Sequence, residues 1–367
     1  MLNSIMRDFD IFLIFRYYPL RLIRFLSFSP ACYEVFEKQG NNNVDIHRLM
    51  RILAVITSIC TYLIVLMGTL VTTTGSGHGC GNSWPFCHGQ IIPGVISIQG
   101  IIEYSHRVMA GADGFLVLIL TVCVWFIYKK DFRVRLFAFL SLLFLVAQGA
   151  LGALTVVYEG TFALNWLLAI HFGLSLIAFA SVILLTIRLY QVDKGQPYVP
   201  PVRKLQLPVL AVVVYTFVVV YSGALVEHLG AVAGCGQQIP GCSTYIPSLT
   251  SLAGVQMLHR YAAALVWFVT LALLIVIIRS YRERHDLVVG GWWAFILVTL
   301  QALSGMTTVW TEGQMIAALM HATIISAYFS MLCYLWMQVG WPWSKNKQPS
   351  AIAQTDSQQS LELHSVS

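Results

Sequence analysis

RILAVITSICTYLIVLMGTLVTT, residues 51–73, carries one charge, Arg51, at its first position and none after it. The run is too long and too apolar for a soluble core helix, and a bilayer core about 30 Å thick needs about 20 such residues as a helix. Seven further stretches read the same way: 104–128, 136–157, 164–187, 205–226, 257–278, 288–310 and 316–338. None alternates in polarity over about 10 residues, as the strands of a membrane barrel would. Composition agrees. Hydrophobic residues make up 57% of the 367-residue chain and charged residues 10%, with mean hydropathy +0.73, against roughly 25% charged in a soluble domain. The fold class expected is all-α integral membrane, with eight transmembrane helices.

The net charge of +6 needs no nucleic-acid partner, because lysine and arginine gather at the cytoplasmic ends of membrane helices. One set of connections holds the basic residues: Arg48 and Arg51; Lys129, Lys130, Arg133 and Arg135; Arg188, Lys194, Arg203 and Lys204; Arg279, Arg282 and Arg284; Lys345 and Lys347. The other set, 74–102, 158–163, 228–256 and 311–315, holds no Lys or Arg. Positive charge stays inside, so both termini are expected in the cytoplasm and the second set outside.

Residues 1–48 fit less well. Their apolar stretch, IFLIFRYYPLRLIRFLSF (11–28), contains Arg16, Arg21 and Arg24, each costing about 3 kcal/mol at a bilayer centre. It reads as a surface helix, not a span or a signal peptide; the alternative is that translation begins at Met50. The polar tail, 341–367, reads as disordered.

An internal repeat lies within the apolar background. Gly68-Thr-Leu-Val71 and Cys80/Cys87 return as Gly223-Ala-Leu-Val226 and Cys235/Cys242, and Glu103-Tyr-Ser-His106-Arg107 returns as Gln256-Met-Leu-His259-Arg260. Gln148 to Thr155 matches Gln301 to Thr308, and His171 matches His321. The offset is 155 at Gly68/Gly223, 153 at His106/His259 and 150 at His171/His321. Two halves follow, 49–190 and 191–340, each with an even number of spans. They are therefore expected to share orientation, as tandem four-helix bundles in a parallel repeat.

Four histidines recur at the edges of spans: His106, His171, His259 and His321. Ionisable groups at membrane depth are expensive and usually functional. All four fall near the outer ends of their spans, at one depth, where imidazoles from two helices can grip a planar cofactor; paired axial histidines in a helical bundle point to haem. Structural zinc would want four ligands at tight spacing such as C-x₂-C, which the sequence lacks. Arg107 and Arg260 follow two of the histidines and suit haem propionates, or else snorkel to the interface. The halves differ at one telling place. Glu103, three residues before His106 and so on the same helix face, is matched by Gln256. A carboxylate can act as a base or stabilise developing positive charge; an amide does neither as well. The first half thus reads as the site of a reacting porphyrin and the second as that of a permanent electron-transfer haem. Asp113, the other buried acid, reads as a packing or hydrogen-bonding group.

Cys32, Cys60, Cys123 and Cys333 lie in or near apolar segments and read as packing residues. Cys80/Cys87 and Cys235/Cys242 fall in outward loops and are expected to form two short disulfides. The second reads as a staple. The first lies among Gly75, Gly77, Gly79 and Gly81 on the reactive half, where a redox role and stapling both stand.

The run GTLVTTTGSGHGCGNSWPFCHG (68–89), EYSHR (103–107) and the paired histidines resemble the haem A synthase family, in its bacterial form with a cysteine pair in each of two outer loops. The likeness covers about residues 50–340; the N-terminal extension falls outside it. The resemblance implies a multi-pass enzyme of the bacterial plasma membrane that oxidises the C8 methyl of haem O to the formyl of haem A by successive hydroxylation, water supplying the oxygen. It further implies that His106 and His171 flank haem O, that Glu103 is the catalytic acid residue, and that His259 and His321 are axial ligands of a haem b passing electrons onward. A haem O synthase, as transient donor, and a membrane electron acceptor such as a quinone are the partners expected, with homo-oligomerisation open. A cytochrome b confined to electron transfer would share the histidines but not the Glu103/Gln256 contrast. A disulfide generator would leave the histidines unexplained, and a parallel-repeat transporter would place its polar groups at the midplane.

Overall fold

The computed structural model describes residues 45–91, 94, 97–195, 201–242 and 246–340. The surface helix expected in 1–48 and the tail 341–367 lie almost wholly outside them. Among the described residues eight helices are long and apolar enough to cross a membrane, and there is no strand, only an isolated bridge between Cys87 and Gln90. The helices are α1 (Ile46–Thr73), α2 (Ile98–Ile127), α3 (Phe132–Val157), α4 (Ala163–Asp193), α5 (Arg203–His228), α6 (Leu252–Ser280), α7 (His285–Trp310) and α8 (Met315–Val339). The all-α, eight-span expectation is met.

Several helices outrun their apolar cores because side chains satisfy their ends. The first N–H groups of a helix have no partner within it. At α2 and α6 a serine supplies one: Ser97 Oγ accepts from Gly100 N and Ser251 Oγ from Gly254 N, both at 3.0 Å. At α3 the cap is Asp131, accepting from Val134 N at 3.0 Å. Arg188 and Asp193 lengthen α4 beyond its apolar stretch, and both are partnered: Arg188 Nη2 donates to Asp131 at 2.8 Å, and Tyr128 Oη donates to Asp193 at 3.2 Å.

The chain divides into a small unit ending at Ile52 and a large one from Leu53. In the small unit the described part is the opening of α1, where Arg51 lies 3.9 Å from Asp45. In the large unit successive helices from α2 to α8 pack side by side, and α8 returns to touch α4 and α5. Leu176 and Leu184 of α4, Val209 and Val220 of α5, Ile277 of α6, Leu287 of α7 and Leu332 of α8 form its buried core. The α1 helix is fastened by side-chain hydrogen bonds. Ser58 meets Thr186 of α4 at 2.9 Å, Thr61 donates to both oxygens of Asp113 on α2 at 3.1 Å, and Tyr62 meets Thr323 of α8 at 3.0 Å. Such bonds average about 0.6 kcal/mol in membrane bundles. Their value lies in fixing the register in which the helices that carry the histidines meet.

Candidate functional site

Each of the four recurring histidines abuts a glycine on the preceding helix. A Cβ built on Gly68 of α1 would lie 3.6 Å from Cε1 of His106 on α2, and one on Gly152 of α3 would lie 3.8 Å from Cε1 of His171 on α4. In the second half the fit is tighter: Gly223 of α5 to Cε1 of His259 is 2.8 Å, and Gly305 of α7 to Cε1 of His321 is 3.2 Å. A side chain at Gly223 would displace the imidazole. Gly68 and Gly223 open the repeat visible in the sequence, and at Gly223 the structure gives the glycine a steric cause.

The second ring nitrogens differ between the halves. Ser222 Oγ lies 2.9 Å from His259 Nδ1, and Ser304 Oγ lies 2.9 Å from His321 Nδ1. The Gln301 amide nitrogen lies 2.9 Å from His321 Nε2. By contrast, His106 Nδ1 and His171 Nδ1 are buried without a hydrogen-bond partner among the described residues, and Gln148, matched to Gln301, donates instead to the His171 carbonyl at 2.7 Å. His171 lies within electrostatic range of His106, and His321 of His259.

Between α1 and α2, and again between α5 and α6, the chain makes a turn closed by a disulfide. Cys80–Cys87 and Cys235–Cys242 are both formed, with Cα atoms 4.5 and 4.9 Å apart. Cys60, Cys123 and Cys333 stay outside disulfides, while Cys32 lies outside the described residues. The turn presses directly on the N-terminus of the next helix. A Cβ on Gly79 would sit 2.4 Å from the Gln99 and Gly100 backbone, and one on Gly234 would sit 2.7 Å from Leu252.

Glu103 secures this contact. Buried on α2, it accepts a hydrogen bond from Cys80 N at 2.8 Å and pairs through its other oxygen with Arg107. Arg107 Nη1 then donates to the carbonyls of Ser83 at 2.5 Å and Phe86 at 2.9 Å, inside the disulfide turn. The second half repeats the device without the charge. Gln256 Oε1 accepts from Cys235 N at 2.8 Å, and Arg260 donates to the carbonyls of Gln238 at 2.8 Å and Gly241 at 3.0 Å. Both arginines therefore bind loop carbonyls, a role the sequence reading did not foresee. An amide oxygen at 256 accepts the same backbone N–H while its nitrogen turns to the Val232 carbonyl; the carboxylate at 103 pairs with Arg107 instead. A carboxylate offers about four lone-pair directions, so Glu103 keeps acceptor capacity beyond its two partners.

The donor set fits a porphyrin iron. Among the described residues no group of three or more His, Cys, Asp or Glu could hold a metal ion by itself. Such an iron asks only two imidazoles of the protein, because its other four ligands come with the macrocycle, and each of the four imidazoles packs against a glycine. Asp113, held by Thr61, takes the hydrogen-bonding role read for it. Sequence reasoning missed Ser222 and Ser304. Their only signal was position, each one residue before a glycine of the repeat.

The fold and these residues define a class, the helical multi-pass membrane proteins with recurring histidines in their spans. Within that class the comparisons are specific. The sequence matches the family described as cytochrome oxidase assembly protein (COX15-CtaA) over residues 51–333. Relatives include a protein of Bacillus mycoides (strain KBAB4), 43% identical over 293 residues, and one of Bacillus cereus (strain AH187), 44% identical over 294 residues. One of Bacillus anthracis (strain CDC 684 / NRRL 3495) is also 44% identical over 294 residues, and each alignment covers 79% of this chain and 93% of the relative. All three relatives are named heme A synthase. The chain belongs to the cytochrome oxidase assembly protein family.

Proposed function

We propose that this protein is a haem A synthase of a bacterial plasma membrane, an oxidoreductase that converts the C8 methyl of haem O to a formyl group. Its family and the names of its relatives support the reaction. The Glu103/Gln256 contrast carries the choice of half, since both accept from a cysteine N–H but only Glu103 is a carboxylate, paired with Arg107: His106 and His171 flank haem O, and His259 and His321 hold a haem b. That haem, when bound, supplies one-electron transfer.

Balance defines the work of the chain. A methyl and one water become a formyl, releasing four electrons and four protons in two two-electron rounds, the first giving an alcohol and the second a hydrated aldehyde. The electrons go to a membrane acceptor of the quinone class. Glu103 stabilises the cation at the substrate carbon or takes a proton from the attacking water, and Arg107 holds it in place. The disulfide turns clip shut the outer ends of the helices, while the histidines orient the porphyrin. Both termini face the cytoplasm, the halves form a parallel repeat, and a haem O synthase hands over the insoluble substrate.

The test is to express the protein with a haem O supply, purify it in detergent, and separate the extracted porphyrins alongside a reduced-minus-oxidised spectrum. The wild type is expected to yield haem b with haem O or haem A. E103Q, which keeps the acceptor for Cys80, is expected to yield haem b and haem O with haem A down by about 100-fold or more, the usual contribution of a positioned proton-transfer group. Haem b alone, two per chain despite abundant haem O, would instead mean an electron-transfer cytochrome.

A further inference from the structure

We propose that Ser222 and Ser304 are positioning residues that make the second histidine pair retain its haem, and that Met67 and Leu151 at the matched places leave the first pair free to release its porphyrin. The proposal rests on the assignment of the two pairs above and adds what distinguishes them physically.

Both serines solve one problem in the same way. The Ser222 hydroxyl donates to the Val219 carbonyl at 2.7 Å, and that of Ser304 to the Gln301 carbonyl at 2.9 Å. With its proton committed there, each oxygen can only accept from the histidine Nδ1 that lies 2.9 Å away. Nδ1 thus carries the hydrogen, and Nε2 presents its lone pair. At His321 the amide nitrogen of Gln301 lies 2.9 Å from Nε2 and 3.2 Å from Nδ1, beside the ring edge between the two nitrogens, and leaves the lone-pair direction of Nε2 open. A hydrogen bond to the distal nitrogen fixes the ring and raises its basicity as a ligand.

Serines in membrane helices commonly bond to a carbonyl one turn back, and that habit alone would not aim them at anything. Here both stand one residue before the glycine that the imidazole touches, on two different helices. In the first half the corresponding residues are Met67 and Leu151, which offer no such acceptor, and His106 Nδ1 and His171 Nδ1 are buried without a partner. A resident haem wants fixed, basic ligands. A porphyrin that arrives as substrate and leaves as product wants ligands that let go.

The experiment measures how fast each porphyrin leaves the holoprotein in detergent for an excess of apomyoglobin, with a redox titration of the haem b. In S222A/S304A haem b is expected to transfer about tenfold faster, the low end of the 10–100-fold effect of losing such a partner, and its midpoint potential to rise as the ligands become less basic. In M67S/L151S the other porphyrin is expected to leave about tenfold more slowly. Wild-type transfer rate and potential in S222A/S304A would overturn the proposal. Should that variant fail to accumulate, M67S/L151S decides alone, and an unchanged release rate overturns it. Retention of haem b by H259A/H321A would instead show that the assignment of the pairs is at fault.

Discussion

Gly223 and Gly68 occupy the same place in the repeat, yet alanine should affect them differently. At Gly223 the new methyl would lie 2.8 Å from a ring carbon of His259, whereas at Gly68 the distance to His106 is 3.6 Å, ordinary contact. G223A should therefore cost about 1–3 kcal/mol, the usual range for overpacking, and should lower haem b per chain with a reduced melting temperature. G68A should leave both near wild type. Pyridine haemochrome quantification with a thermal melt in detergent checks the pair; equal losses would mean that the glycines do not act on the histidines. The glycines and histidines were legible in the sequence as a repeat. Their contact was not, because it joins two helices whose register only the fold sets. The serines were less legible still: hydroxyls in apolar runs usually bond to their own helix, and nothing in one helix says which imidazole waits on the next.

At the scale of the element, the instructive cases are α2 and α6. Apolar content places their starts at 104 and 257, but the helices begin at Ile98 and Leu252. The extra turns hold Glu103 and Gln256, polar groups that close a span by hydropathy but here lie buried, because the turn above supplies the Cys80 and Cys235 N–H groups. The disulfides were legible from cysteine spacing and expected compartment. The arginine clips were not, since a guanidinium at a helix end has several plausible acceptors. Arg107 binds two loop carbonyls and Glu103, and hydrogen bonds to charged groups are worth about 1.5–3 kcal/mol. R107A should accordingly raise proteolytic cleavage within residues 81–91 by about tenfold or more in detergent, with the disulfide intact, whereas R260A should do the same within 236–242. Unchanged cleavage would show that the turns hold without the clips.

For the whole molecule, the eight spans were the most legible feature, since length and apolarity alone specify them. Orientation rests on charge. The cleanest check uses single cysteines at two exposed positions, Lys130 between α2 and α3 and Ile246 between α5 and α6, with a membrane-impermeant maleimide on intact cells. I246C should label directly and K130C only after lysis; the reverse pattern would invert the molecule.

The fastening of α1 also has a consequence for biosynthesis. The partners of its three hydroxyls are delivered in order: the Asp113 carboxylate with α2, Thr186 with α4, and Thr323 with α8. The last lies 261 residues beyond Tyr62. At about 5–20 residues per second of translation that is roughly 13–52 s, during which Tyr62 stands in the bilayer without its mate. A nascent chain that stalls before α8 keeps that polar group in the apolar layer without its partner.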